Sequence, residues 1–328
     1  MIALPTELRN AIAQALNAVP ETRWLNAARA LSDQYRNLHS ANAAPIVRTR
    51  LDALGYAALL MPATYAQLYG AMHAAAARVP SWQPKTMLDM GSGPGTALWA
   101  ATMCWQSLHD LTAWEREPML IALGRDLARA SANPALRHAR WVQRNLSAPI
   151  ERGVAFDLVV LGHVLGEIPP EERDAVVASA WRMTHGMLLI VEPGTPGGFS
   201  VVRAARDLLL ADGALTIAPC AHNLPCPLND DWCHFPQRLR RPEFQRRARG
   251  APSPWEDAKY SYAALARFPP ERPIWGRVIL EPSFNKAYAE VLISSRDGIV
   301  RHRALKRNRD AFRWVKHLEW GQTLEEKP

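Results

Sequence analysis

The chain has 328 residues, 48% of them hydrophobic and 21% charged, which is enough apolar material for a sizeable core and excludes a disordered protein. No apolar run reaches the roughly 18 to 20 residues that cross a bilayer, so a soluble protein with no membrane partner is expected. Of the net charge of +8, +7 lies in residues 216–328, which hold 20 Lys+Arg against 13 Asp+Glu.

The N-terminus, MIALPTELRNAIAQAL, has neither a secretory pattern nor the acid-poor look of a transit peptide, because Glu7 arrives early. A cytoplasmic protein of bacterial type is the expectation. Residues 1–80 then read as a helical domain, with apolar positions three and four apart in LRNAIAQAL, AARALSDQYRNL and LDALGYAALLMPATYAQLYGAMHAAAA, broken at Pro45 and Pro62. Residues 81–215 alternate strands with helices, the signature of a parallel sheet with crossover helices. The strands are TMLDM, LTAWE, ARWVQRN, FDLVVLG and MLLIVEP, with helices beginning near Gly95, Pro118 and Pro170. Residues 216–328 form a different region: a Pro- and Cys-rich loop, short strands (YSYAALARF, GRVILEP, AYAEVLISS, IVRHRAL) and a basic final helix.

Asp89-Met90-Gly91-Ser92-Gly93-Pro94-Gly95 follows the first strand and opens a helix. Glycines there let the backbone turn sharply and approach a ligand, with amides at the helix start pointing into the site. The spacing is not the G-x-G-x-x-G of dinucleotide folds. It resembles motif I of S-adenosylmethionine-dependent methyltransferases, in which Asp89 fits the acid before the loop. Glu115, closing the second strand, fits the acid that takes the ribose hydroxyls. The cofactor residues implied are Asp89, Gly91, Gly93, Gly95 and Glu115.

Catalytic residues are less defined. The fourth strand runs into Gly162-His163-Val164-Leu165-Gly166-Glu167, without the Asn/Asp-Pro-Pro-aromatic tetrad of amino-group methyltransferases acting on bases. Cys104 falls inside a helix, where a structural thiol is expected rather than a nucleophile. His163 and Glu167 are the candidates for a base and its orienting partner, set against a role in merely shaping the pocket.

Three of the four cysteines, Cys220, Cys226 and Cys233, fall within APCAHNLPCPLNDDWCHF, beside His222 and His234. Clustered soft thiolates select an iron–sulfur cluster or zinc, and the spacing, wider than in common zinc fingers, favours neither. Two basic runs follow, Arg238, Arg240, Arg241, Arg246, Arg247 and Arg249, then Arg301, Arg303, Lys306, Arg307, Arg309, Arg313 and Lys316, with Trp232, Phe235, Phe312 and Trp314 nearby. A solvated basic face is the plain reading of one such run. Two runs with aromatic neighbours point to a polyanion, since guanidinium groups pair with phosphates and rings stack on unpaired bases.

Taken together, SDQYR, MPATYAQLYGAM, LDMGSGPG, VEPGTPGGF, CAHNLPCPL, WCHF and Trp320-Gly321 resemble the methyltransferase-like family of small-ribosomal-subunit assembly factors of mitochondria and bacteria, over nearly the whole chain. The resemblance implies a Rossmann-like α/β methyltransferase fold with an N-terminal helical domain and a basic, cysteine-rich C-terminal extension. It implies binding of small-subunit ribosomal RNA or the assembling subunit, with RNA methylation as the alternative and a small-molecule or protein methyltransferase as a third class that leaves the basic runs unexplained. A monomer off the ribosome is expected. The resemblance also implies that Cys220, Cys226 and Cys233 hold a four-iron, four-sulfur cluster whose fourth cysteine comes from a C-terminal strand. There this chain has serine, in Leu292-Ile293-Ser294-Ser295. The fourth ligand is then Ser294, His222, His234 or solvent, with a Cys3His zinc site as the alternative and loss of the metal last.

Overall fold

The computed structural model describes residues 1–36, 46–148, 153–228 and 231–327. Helices α1 (Thr6–Asn17), α2 (Glu21–Arg36), α3 (Arg50–Leu59) and α4 (Met61–Ala76) lead into β1 (Thr86–Met90), α5 (Thr96–Cys104), β2 (Asp110–Glu115), α6 (Pro118–Arg129), α7 (Pro134–Arg137) and β3 (Arg140–Gln143). Then come β4 (Phe156–Gly162), a 3-10 turn (Leu165–Glu167), α8 (Pro170–Arg182), β5 (Thr184–Pro193), α9 (Pro196–Ala211) and β6 (Leu215–Ala218). The remainder is β7 (Phe235–Arg240), α10 (Glu243–Arg249), β8 (Trp255–Ala266), β9 (Gly276–Val278), β10 (Ser283–Phe284), β11 (Tyr288–Ser295), β12 (Gly298–Leu305), α11 (Arg309–His317) and β13 (Thr323–Leu324).

The main sheet has the order β3-β2-β1-β4-β5-β8-β6, with β7 also on β8. It is parallel from β3 to β5, and β8 runs antiparallel between β5 and β6. Strands covered on both faces read as continuous apolar runs. Leu158, Val159, Val160 and Leu161 of β4 and Leu188, Leu189 and Ile190 of β5 are fully buried in that way. This is the Rossmann-like α/β methyltransferase fold. The order reverses between β1 and β4, and ligands of open α/β sheets bind at such a switch point, beyond the carboxyl ends of the strands.

The helices of residues 1–80 do not pack apart from the sheet. Leu8, Ile12, Leu31, Leu54 and Leu68 share one core with Met87, Leu158 and Leu189. α4 is apolar on nearly every side because it lies between the sheet and the other helices, and Gln67 Nε2 donates to the Lys259 carbonyl at 2.8 Å. Pro62 occupies the first turn of α4, where the missing N–H costs nothing, so it restarts the helix. Ile2 adds to β7, donating to the Arg238 carbonyl at 2.9 Å and accepting from the Arg240 amide at 2.8 Å. Pro45, Asn37 and Leu38 lie outside the described residues.

The change of pattern at residue 216 does not coincide with an edge of the sheet, because β8 is inserted beside β5 and its residues Tyr260–Ala266 are buried. What begins there is the cysteine loop, an excursion between β6 and β7. Beyond it, β9, β11, β12, β10 and β13 form a second sheet. Val278, Val291 and Ile293 face Val315 of α11, whereas Leu292 and Ile299 turn back to the main core.

Candidate functional site

The glycine loop leaves β1 at the switch point. Gly91, Gly93 and Gly95 all have left-handed backbone, with φ of 76°, 53° and 78°. Their roles differ. A Cβ on Gly91 would lie 2.4 Å from Val164 Cγ2 and one on Gly95 2.7 Å from Trp141 Cη2, so packing requires both glycines. A Cβ on Gly93 would meet only the Tyr56 side chain, no closer than 3.5 Å, so Gly93 faces the cleft. The Gly91 and Ser92 amides donate to the Trp114 carbonyl at 2.8 and 2.9 Å, tying the loop to β2.

Glu115, at the end of β2, accepts the Gly93 amide on Oε2 at 2.8 Å and the Arg116 and Glu117 amides on Oε1 at 2.8 and 2.9 Å. Burial raises its pKa against the pull of those three amides. Asp89 is 2% exposed, and its Oδ2 has no hydrogen-bond partner among the described residues. Burial, helped by Glu115, pushes its carboxyl up to about 8. The cleft is lined by Gly91, Gly93, Glu115, Glu117, His163 and Glu167, and from the N-terminal helices by Tyr56. Burial and the nearby Glu167, Glu115 and Asp89 carboxylates all raise the Tyr56 phenol. No sequence signal marked Tyr56, whose place at the cleft comes from the packing of α3.

His163 and Glu167 reach the same cleft, yet no hydrogen bond joins them among the described residues. His163 has left-handed backbone, φ 58°, and its amide donates to the Val191 carbonyl at 2.7 Å. Burial lowers its imidazole to about 4, which keeps it neutral at physiological pH. Burial raises Glu167 to about 7, and likewise Glu192, whose Oε1 accepts the Leu165 amide at 2.9 Å and so fixes the turn carrying Glu167. Glu192 stands in VEPGTPGGF and the sequence reading gave it no role. Burial pushes the Cys104 thiol up to about 12, as befits a structural cysteine.

The three other cysteines converge in the excursion between β6 and β7. Burial raises the Cys220 and Cys233 thiols, and each is also near enough to Cys226 to feel its charge. Two buried arginines oppose the rise. Arg206 of α9, 4% exposed, hydrogen-bonds Cys220 and donates through Nη2 to the His222 and Leu224 carbonyls at 3.0 and 2.9 Å. Arg277 of β9, 5% exposed, donates to the Pro219 and Gly321 carbonyls, both at 2.8 Å. Neither was legible in sequence, since each comes from a distant element. Ser294 is the cross-strand partner of Arg277, so both project from the same face of the second sheet. His222 Nδ1 accepts the Leu224 amide at 3.1 Å, and His234 stacks on Trp232 at 5.2 Å with Trp320 edge-on at 4.9 Å. Among the described residues no three His, Cys, Asp or Glu side chains come close enough to hold a single metal ion.

The two basic runs fold differently. Arg238 pairs with Asp257 through two 2.8 Å bonds, Arg241 and Arg249 with Glu256, and Arg247 with Glu21 and Glu243, while Arg246 donates to the Pro252 carbonyl. Arg240 lines an open hollow against α1. In the second run Arg301 and Arg303 share Glu290, and Lys306, Arg307, Arg309, Arg313 and Lys316 line a groove with Phe312 and His317.

Residues 50–325 match the family described as mitochondrial small ribosomal subunit Rsm22. The chain belongs to the Rsm22 family. It is 31% identical over 288 residues to the human mitochondrial ribosome assembly protein METTL17, covering 83% of this chain and 62% of that protein. It is 26% identical over 225 residues to the mitochondrial Rsm22-cox11 tandem protein 2 of Schizosaccharomyces pombe, covering 61% of this chain and 30% of the relative. The chain thus spans less than two thirds of these relatives. A magnesium protoporphyrin IX methyltransferase from Synechocystis with bound S-adenosylmethionine aligns over 72% of this chain and 91% of its own, at 12% identity and a TM-score of 0.41. The cytoplasmic expectation is corrected by the curated relatives, each of which is named as mitochondrial. The absence of a transit-like N-terminus was too weak a signal to decide the compartment. No described helix is long and apolar enough to cross a membrane.

Proposed function

We propose that this Rsm22-family chain binds S-adenosylmethionine and acts, by binding rather than by methyl transfer, on the assembling small ribosomal subunit through its RNA. The human relative, named as a ribosome assembly protein, and the family, described as mitochondrial small ribosomal subunit, support the partner. The observation that carries the cofactor is the cleft at the switch point: an unobstructed Gly93, and five acidic side chains, Asp89, Glu115, Glu117, Glu167 and Glu192, in or beside it. Such an acidic site suits a ligand carrying a sulfonium and an ammonium group. The human relative's name, a ribosome assembly protein, supports binding over catalysis.

The cysteine site fits an anionic, thiolate-held group, because two buried guanidinium groups face three soft donors. A single tetrahedral zinc would draw its sulfurs to within about 4 Å of one another. A four-iron cluster spreads its thiolates over the corners of a larger body, and it is the group we favour for Cys220, Cys226 and Cys233. Ser294, from the strand facing Arg277, is the favoured fourth ligand. Bound there, the cluster would pin the excursion to β9 and supply an electron-accepting group.

Mass spectrometry of small-subunit ribosomal RNA nucleosides from cells with and without the gene decides between binding and catalysis. The same nucleosides in both, together with subunits that mature slowly without the gene, is the expected result; a missing methylated nucleoside would restore the enzyme reading.

A further inference from the structure

We infer that the RNA-contacting surface is the groove along α11, and that the arginines around α10, although equally dense in sequence, contribute little to it. The inference rests on the reading above that the partner is RNA. Around α10 five of the six arginines already have partners on the chain, four with the carboxylates of Asp257, Glu256, Glu21 and Glu243 and Arg246 with the Pro252 carbonyl. An arginine with its own carboxylate has little net field to offer, and moving it to a phosphate exchanges one ion pair for another.

α11 differs on each count. Lys306, Arg307, Arg309, Arg313 and Lys316 have no acidic partner among the described residues, and together with Phe312 and His317 they line one groove. Val315, the buried residue of the helix, docks it on the second sheet beside Val291 and Ile293, so the cationic side chains project from a fixed base. Arg309, Arg313 and Lys316 follow one another at four- and three-residue spacing, about 4.5 to 6 Å apart along the axis on one face, a ladder that a phosphate backbone can follow. Asp310, on the same helix, is the acidic exception. Lys316 lies 5.0 Å from the ring centre of Phe284, which is 56% exposed. Trp314, 37% exposed, leaves the helix on another side and is braced edge-on by His302 at 5.6 Å, so the ring offered beside the cations is that of Phe284. An exposed ring beside an unpaired cation, as Phe284 is beside Lys316, is what an unpaired base stacks on while its phosphates are held.

The test uses the full chain and a transcript of small-subunit ribosomal RNA, with binding followed by fluorescence anisotropy over a series of salt concentrations. The triple variant Arg307→Gln, Arg309→Gln, Arg313→Gln should bind at least roughly tenfold more weakly, and its log–log salt slope should fall by about 2 to 3, since each lost phosphate contact removes about 0.7 to 0.9. The pair Arg238→Gln, Arg247→Gln should stay within about twofold of the parent. Phe284→Ala should lower affinity without changing the slope, and Phe284→Tyr should restore it. Unchanged thermal melting of the triple variant separates lost contacts from lost folding, and a triple Arg→Lys variant that keeps binding confirms that charge is what matters. If the parent binds with a steep salt slope and the triple variant does the same, the groove is wrong and the RNA reading stands. If the parent shows no salt-dependent RNA binding and instead captures an acidic protein or anionic vesicles, both fail.

Discussion

The Glu115 carboxylate accepts the Gly93 amide at 2.8 Å, so the acid expected to hold a ribose also holds the loop that must approach the cofactor. Charge-assisted bonds of this kind contribute about 1.5 to 3 kcal/mol each. Glu115→Gln keeps the shape but replaces one acceptor oxygen by an amide that cannot accept the bonds from Gly93 or from Arg116 and Glu117. Affinity for S-adenosylmethionine, measured by calorimetry, should fall by at least about tenfold. An unchanged affinity would separate loop from ligand.

The glycines should separate into two classes. Gly91→Ala and Gly95→Ala force a Cβ into Val164 and Trp141 and also carry the left-handed cost of about 1 to 2 kcal/mol, so both should lower the unfolding midpoint strongly. Gly93→Ala carries the backbone cost alone. A bulky side chain there, as in Gly93→Leu, should leave a folded protein that no longer binds the cofactor. Equal destabilisation by all three alanine substitutions would contradict the assignment.

A pH dependence follows from the buried acids. Asp89, pushed up to about 8, and Glu167 and Glu192, pushed up to about 7, bind protons more tightly in the folded chain than in the unfolded one. Between the unfolded and folded values the native state holds more protons, so stability falls as pH rises through that interval. His163, lowered to about 4, acts in the opposite sense below its unfolded value of about 6.5, which leaves the net decline above that pH. The melting temperature of the ligand-free chain should therefore be lower at about pH 8.5 than at about pH 6.5. Saturating S-adenosylmethionine, whose cationic groups favour ionised acids, should narrow the gap, and Glu192→Gln should flatten the profile. A melting temperature that rises over this range would remove the argument.

Local chemistry in the sequence was read more reliably than assembly. The glycine loop and the position of Glu115 at a strand end were legible because a strand, a turn needing left-handed residues and a helix start are contiguous, and β4 and β5 because burial on both faces leaves long apolar runs. β8 was legible as a strand from YSYAALARF, but its place beside β5 was not, since insertion into a sheet is a long-range pairing. Arg206 and Arg277 were invisible for the same reason. Each is an ordinary arginine until the fold brings α9 and β9 against the cysteine loop. The basic runs show the converse, since one-dimensional charge density could not reveal that Glu256, Asp257, Glu243 and Glu21 pair with four arginines of one run and leave the α11 groove without an acidic partner among the described residues.

The last prediction concerns Ser294, which shares a sheet face with Arg277 and stands where a fourth thiolate is expected. If Cys220, Cys226 and Cys233 hold an iron–sulfur cluster, protein purified without oxygen should be brown and contain iron and sulfide. A serine alkoxide is a hard donor for a soft site, so the natural chain should lose iron in air faster than Ser294→Cys, followed by the decay of visible absorbance. Cys233→Ala should remove the metal and increase protease cutting between β6 and β7, because metal binding and local folding are linked. Arg277→Met should also loosen the excursion, through loss of its bonds to the Pro219 and Gly321 carbonyls, even in metal-free protein. Colourless anaerobic protein with one zinc per chain would replace the cluster by a zinc site. Protein with neither metal, folded normally and indifferent to Cys233→Ala, would show that the two guanidinium groups alone hold the excursion in place.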